Sequence, residues 1–252
     1  MNNILEKWRG GLIVSCQAPA GSPLAKPEII AAFAQVAEQN GAVGVRIDSP
    51  AHISAVKEKI KIPVLGIYKI VADESPVYIT PTFEAARKII EAGADVIALD
   101  ATARRRPANE RIEIIIKKIG EQSEKSLAAD IATFEEGLSA EEIGFDAVIT
   151  TLSGYTEDTK HIVEPDFALV EKLAKRLSVP LICEGRLSSA EDVRRAFDCG
   201  AFAVVVGSAI TGVDGLVRKF AAALPAAKNE DTDLKNQTAS VSVNQKSSEN
   251  VA

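Results

Sequence analysis

The sequence predicts an α/β fold of the (β/α)8 TIM-barrel type, on three observations. Eight short apolar segments alternate with longer amphipathic ones. Several of the short segments are hydrophobic almost throughout, as parallel strands covered on both faces must be. A glycine also recurs just ahead of the later member of each pair, where a helix would have to stop.

The strand segments are, in order, GLIVSCQ (11–17), VGVRID (43–48), VLGIYK (64–69), VIALDA (96–101), SLAADI (126–131), AVITTL (147–152), PLICEG (180–185) and AVVVG (203–207). Between them the helical stretches carry end signals. Thr80 before Pro81 reads as the cap of TFEAARKIIEAG, with proline at the first helical position. Ser188, three residues ahead of Glu191, reads as a capping box opening the helix that ends near Cys199. The pieces NGAV (40–43), AGADV (92–96), IGFDAV (143–148) and CGAFAV (199–204) repeat one αβ turn. Eight such units from Gly11 to about Leu224 suit a barrel at the compact end of its range, roughly 200 residues. A doubly wound sheet would need a glycine-rich GxGxxG turn after its first strand, and none is present. Residues 1–225 are therefore expected to form one barrel, and 226–252, which lack any period, a disordered tail.

Composition narrows the partners. With 46% hydrophobic and 25% charged residues the 252-residue chain can bury a large core. A net charge of -6 argues against nucleic acid or an anionic membrane surface as a partner, so an anionic ligand must be gripped locally. Cys16, Cys183 and Cys199 are too few for a disulfide framework or a zinc cluster and fit a reducing cytoplasm. The start of the chain lacks a signal-peptide core, and no run approaches the ~20 apolar residues that cross a bilayer. A cytoplasmic location is expected.

In a (β/α)8 barrel the C-terminal strand ends converge on one mouth. Here they are Gln17, Arg46 and Asp48, Lys69, Asp100, Asp130, Thr150 and Thr151, Glu184 and Arg186, then Gly207 and Ser208. Any one of them alone could be a solvated strand end or a helix cap. GSAIT (207–211) reads as the first turn of a short helix, and Gly185 ends the strand before it. Free backbone N–H groups in those two loops make a phosphate seat. Lys69 leaves an apolar strand for partly desolvated walls, which lowers an amine towards the range of a useful base. The run Arg104, Arg105, Arg106 reads equally well as a solvated loop face or as part of the mouth.

The pieces GLIVSCQA (11–18), GVRID (44–48), LGIYK (65–69), VYITPT (77–82), IALDATARRRP (97–107), ADIATFEEG (129–137), TTLSGYT (150–156), ICEGR (182–186) and VVVGSAIT (204–211) together resemble the N-acylglucosamine-6-phosphate 2-epimerase family. IALDATARRRP and TTLSGYT are the most specific of them, and the similarity runs to about Phe220. The resemblance implies a phosphate-binding barrel that interconverts N-acetylmannosamine 6-phosphate and N-acetylglucosamine 6-phosphate in sialic acid catabolism. It does so by removing and returning the proton at C2, next to the C1 aldehyde of the opened sugar. It implies Lys69 and Glu184 as the catalytic pair, and Gln17, Arg46, Asp130, Thr150 and Tyr155 as sugar-binding. Gly185, Arg186, Gly207 and Ser208 would hold the phosphate. It implies no cofactor and no metal, a small sugar phosphate as partner, and leaves a homodimer open. Whether Lys69 serves both faces of the enolate or shares them with Glu184 also stays open.

Two stretches depart from the family pattern. Ile70, Val71 and Ala72 stand where the family has Arg-Asp-Tyr, and Gly212 stands where it has an arginine that reaches the phosphate. One lost charge-assisted contact is worth roughly 1.5 to 3 kcal/mol, and Arg218 is a candidate substitute. A metal-dependent sugar-phosphate epimerase would need histidines at strand ends, and His52 and His161 are not placed there. A Schiff-base aldolase, whose lysine borohydride would mark, and a phosphosugar-binding barrel without activity remain the alternatives.

Overall fold

The computed structural model describes residues 3–225. Eight strands run parallel in chain order and close on themselves: β1 (Leu12–Cys16), β2 (Gly44–Asp48), β3 (Val64–Ile67), β4 (Val96–Asp100), β5 (Ser126–Asp130), β6 (Ala147–Ile149), β7 (Leu181–Glu184) and β8 (Ala203–Val206). Closure is made where Leu12 of β1 pairs with Val204 of β8. The helices are α1 (Asn3–Glu6), α2 (Pro27–Gln39), α3 (Pro50–Lys57), α4 (Phe83–Glu91), α5 (Ile112–Gln122), α6 (Phe134–Glu142), α7 (Phe167–Ala174), α8 (Ala190–Asp198), α9 (Ser208–Thr211) and α10 (Val213–Ala221). The chain divides into two compact units, 1–216 and 217–252. The first holds the whole barrel. Of the second, residues 217–225 are described and carry the end of α10; the expected tail, 226–252, lies outside the described residues.

Each strand has two buried faces, which is why it reads as a continuous apolar run. One set of alternate residues, including Val14, Val45, Ile47, Val64, Ile97, Leu99, Val148 and Val204, packs with the helices in an outer core. The other set, Ile13, Leu65, Ile67, Val96, Ala98, Ala128, Ala147, Ile149, Ile182, Ala203 and Val205, fills the barrel. Leu5 and Trp8 join this inner core and are 1% and 0% exposed. Gly44, at the start of β2, makes room for them: a Cβ there would lie 2.5 Å from Trp8 Nε1.

The αβ turns form as the sequence predicts. Gly41, Gly93, Gly144 and Gly200 have φ of +90°, +97°, +99° and +95°, the left-handed region a side chain resists. Two caps differ from expectation. Thr82, not Thr80, caps α4, its side chain accepting from Ala85 N at 3.2 Å. Thr80 closes a hairpin instead: its N–H donates to Tyr68 O at 2.8 Å, and its hydroxyl accepts from Tyr68 N at 3.1 Å. Likewise the box on α8 is Ser189 with Asp192, one residue later than Ser188 with Glu191. Both registers satisfy the capping pattern; the extended backbone of Ser189 selects the second.

Candidate active site

The alternation that fills the barrel also decides which strand-end residues face its mouth. Continuing the inward set by two residues gives Gln17 after Ser15, Asp48 after Arg46, Lys69 after Ile67, Asp100 after Ala98, Asp130 after Ala128, Thr151 after Ile149 and Glu184 after Ile182. The structure gathers them in hydrogen-bonded groups: Gln17, Asp48 and Lys69 in one, Asp130, Thr151 and Glu184 around Arg46 in a second, and Asp100 with Arg104 in a third.

Lys69 lies just beyond β3, in an antiparallel bridge with Ile79 that folds the β3–α4 connection into a hairpin. Its N–H donates to Asp48 Oδ1 at 2.9 Å, and its Nζ donates to Gln17 Oε1 at 2.5 Å. Gln17 is oriented for this by its own amide, which donates to Ser15 Oγ at 2.8 Å. Lys69 is an exposed residue at the rim of the mouth, with its ammonium hydrogen-bonded to Gln17. Burial lowers its pKa below the ordinary 10.5 and the nearby Arg46 adds to that, while Asp48, Glu184 and Asp130 pull the other way. Val71, 84% exposed, lies on the hairpin two residues further on.

Opposite charges meet behind it. Arg46, 1% exposed, donates to both oxygens of Asp130, Nη1 to Oδ1 at 2.9 Å and Nη2 to Oδ2 at 2.7 Å. The same Nη1 stands 3.1 Å from Glu184 Oε2. Burial raises the Glu184 carboxyl above the usual carboxylate range, with the Asp130 charge in support, and outweighs Arg46 and Lys69. Arg46 is thus spent on two carboxylates of the protein. The two adjacent threonines divide their work. Thr150 accepts from Glu184 N at 3.0 Å and donates to Glu184 O at 2.9 Å, pinning the end of β7. Thr151, a strand-end residue with no role implied by the resemblance, places its hydroxyl 2.5 Å from Asp130 Oδ1 and 2.9 Å from Glu184 Oε2.

On the β7–β8 side, Gly207 caps α9 and Ser208 opens it, with Thr211 anchoring the turn through Ser15 O at 2.7 Å. Gly185 and Arg186 have φ of +119° and +58°. The Arg186 guanidinium donates to the carbonyls of Ser153 and Gly154, both at 2.9 Å, and stacks 4.0 Å from the centroid of the half-exposed Tyr155 ring. Tyr155 and Arg186 therefore form one wall. At Gly212 a Cβ would come within 2.5 Å of Ser208 O, so this backbone leaves no space for an arginine side chain.

The arginine run is not a solvated face. Arg104 donates to Asp100 Oδ2 at 2.6 Å and to Thr102 Oγ1 at 2.9 Å; Arg106 is 3% exposed; Arg105 alone is turned outward, onto Asn109 Oδ1 at 2.7 Å. Tyr78, on the hairpin, has its phenol pKa raised by burial and by Asp130. Its signal in the sequence was only its place two residues ahead of Thr80 in VYITPT. Burial pushes the thiols of Cys16 and Cys183 up to about 12, which leaves them protonated packing groups.

An amine lowered towards the base range and a carboxyl raised towards the acid range, held on opposite strands of one mouth, define an acid–base enzyme on a (β/α)8 barrel. The profile described as "NanE: Putative N-acetylmannosamine-6-phosphate epimerase" matches residues 30–226. A "Putative N-acetylmannosamine-6-phosphate 2-epimerase" from Thermosynechococcus vestitus is 49% identical over 92% of this chain and 99% of its own length. One of the same description from Synechococcus elongatus is 48% identical over 88% of this chain and 97% of its own. The solved N-acetylmannosamine-6-phosphate 2-epimerase from Clostridium perfringens superposes with a TM-score of 0.84 at 40% identity, covering 88% of this chain and 97% of that one. The chain belongs to the N-acetylmannosamine-6-phosphate epimerase family.

Proposed function

We propose that the protein inverts C2 of N-acetylmannosamine 6-phosphate to give N-acetylglucosamine 6-phosphate. The observation that carries this reading is the placing of Lys69 and Glu184 at one mouth on opposite strands, within electrostatic reach of each other, with pKa values pushed towards each other. In the opened sugar, neutral Lys69 takes the C2 proton and the C–H electron pair becomes an enolate. A proton returned from Glu184 to the opposite face completes the inversion, leaving an ammonium and a carboxylate that solvent resets. Gln17, oriented by Ser15, and Asp130, oriented by Arg46, line the sugar. Gly185, Arg186, Gly207 and Ser208 surround the phosphate through backbone N–H groups and a hydroxyl, with Tyr155 stacked on Arg186 as a side wall. Arg46 contributes by fixing the two carboxylates. Thr150 contributes by fixing the β7 end that carries Glu184.

Three free cysteines, two of them buried, and the absence of any described helix long and apolar enough to cross a membrane support a cytoplasmic setting for this chemistry. The test is incubation with N-acetylmannosamine 6-phosphate in heavy water, followed by proton NMR. Deuterium is expected at C2 together with the appearance of the N-acetylglucosamine epimer. Tight binding without exchange would leave only a phosphosugar-binding barrel. Borohydride trapping of substrate on Lys69 would instead make it a Schiff-base enzyme.

A further inference from the structure

We infer that Thr151 is a positioning residue that moves its single hydroxyl hydrogen between Asp130 and Glu184 as Glu184 gains and loses its proton. The observation is one of hydrogen counting. Thr151 Oγ1 stands within hydrogen-bond distance of a carboxyl oxygen on each side, 2.5 Å from Asp130 Oδ1 and 2.9 Å from Glu184 Oε2. A hydroxyl has one hydrogen to donate and lone pairs with which to accept. If both carboxyl groups are ionised, one of the two contacts sets an oxygen lone pair against an anion.

The arrangement is satisfied when the shorter contact is the donated one, Thr151 to Asp130, and Glu184 carries a proton that it donates to Thr151 Oγ1. The other charged groups facing this point agree. Asp130, fully buried on β5, is already gripped through both oxygens by Arg46 of β2. Arg46 Nη1 is then shared with Glu184 at 3.1 Å, so β7 receives only a fraction of one guanidinium. Lys69, the remaining cation acting on Glu184, is weakened as a counter-charge because its own ammonium is desolvated. Glu184 is the carboxyl left to hold a proton.

When Glu184 gives that proton up, it becomes the stronger acceptor and the Thr151 hydrogen turns to it. A hydrogen bond to a charged acceptor is worth more than one to a neutral carboxyl group. That turn gives up both the short bond to Asp130 and the bond accepted from Glu184, so Thr151 favours the protonated form of Glu184 and holds its proton ready for delivery. Position alone marks it out: among the two threonines ending β6, Thr151 continues the inward set and Thr150 does not.

The catalytic consequence rests on the epimerase reading, and the protonation consequence does not, so the two are measured separately. Infrared difference spectra of the substrate-free enzyme across a pH series report the Glu184 carboxylic acid band, identified by its loss in Glu184→Gln. In Thr151→Val, which keeps the side-chain shape, the midpoint of that band is expected to fall by about one pH unit. Thr151→Ser should return it to the wild-type value. In the exchange assay Thr151→Val should lose roughly tenfold in kcat with KM unchanged, and serine should restore it. An unmoved midpoint in the valine variant, with its melting temperature intact, overturns the assignment. So does a serine variant that behaves like valine, since that would reduce position 151 to packing. A shifted midpoint in an enzyme whose wild type shows no C2 exchange would uphold Thr151 and sink the epimerase reading.

Discussion

Two arginines near the mouth of this barrel, the buried Arg46 on β2 and the partly exposed Arg104 in the loop after β4, do different work. Arg104 holds Asp100 four residues away, with Thr102 between them, and donates to Pro76 O at 3.2 Å, so its charge pair stays within one loop and ties that loop to the neighbouring hairpin. Arg46 reaches from β2 to β5 and β7, and its partners, Asp130 and Glu184, lie 84 and 138 positions further along the chain. A local pair fixes the shape of a connection. A pair that crosses the barrel fixes the relative position of independent strands, which is what a reaction between groups on different strands requires.

The comparison can be broken or sharpened by substitution. Lys69→Ala should reduce C2 exchange in heavy water by about 10²- to 10⁴-fold, the range of general-base catalysis, with sugar-phosphate binding held within roughly tenfold; wild-type exchange in that variant would remove the base. Arg46→Leu strands two carboxylates and should cost about 3 to 5 kcal/mol in urea unfolding together with nearly all activity. Arg104→Leu leaves Asp100 with its Thr102 contacts, at 2.7 and 3.0 Å, and should cost about 1 to 3 kcal/mol with turnover close to wild type. If the two arginine variants fall equally in rate, the division between a local and a crossing pair is wrong. Smallest of all, Tyr155→Ala removes a cation–π contact worth about 0.5 to 1 kcal/mol and should raise KM only a few-fold.

The pH dependence has a definite sign. In the proposed mechanism Lys69 acts as the free amine, and burial lowers its pKa, so kcat/KM should rise with pH through an apparent value below 10.5. The same shift costs stability: the unfolded chain binds this proton more readily, so the penalty grows as pH falls from the unfolded value towards the folded one. An alkaline limb at or above the ordinary lysine value would mean that Lys69 is solvated rather than desolvated.

What the sequence made legible follows from what local patterns can encode. Continuous apolar runs and helix-ending glycines specify strands and turns without reference to distant residues, and all eight strands and the four glycine turns form where those patterns put them. Lys69 and Glu184 stand out because a charged residue directly after a buried strand is conspicuous. Thr150 and Thr151 both read as strand-end residues, and adjacent residues of one type are not separated without the phase of the strand before them; counted from Ile149, that phase turns Thr151 into the mouth. Arg104 and Arg106 read ambiguously because burial of an arginine depends on partners such as Asp100 that no run of like charges reveals. Thr80 and Ser188 each satisfied a capping pattern that a neighbour satisfied as well, and only the backbone angles separate them.

Trp8 has one more effect. Together with Leu5 it packs onto the side-chain core that fills the barrel, at the start of β2 and so away from the strand ends, which leaves substrate to meet the protein at the far end where Lys69 stands. Whatever enters must leave by the way it came, and the released sugar phosphate occupies the passage its successor needs. Product should accordingly behave as a simple competitor of substrate.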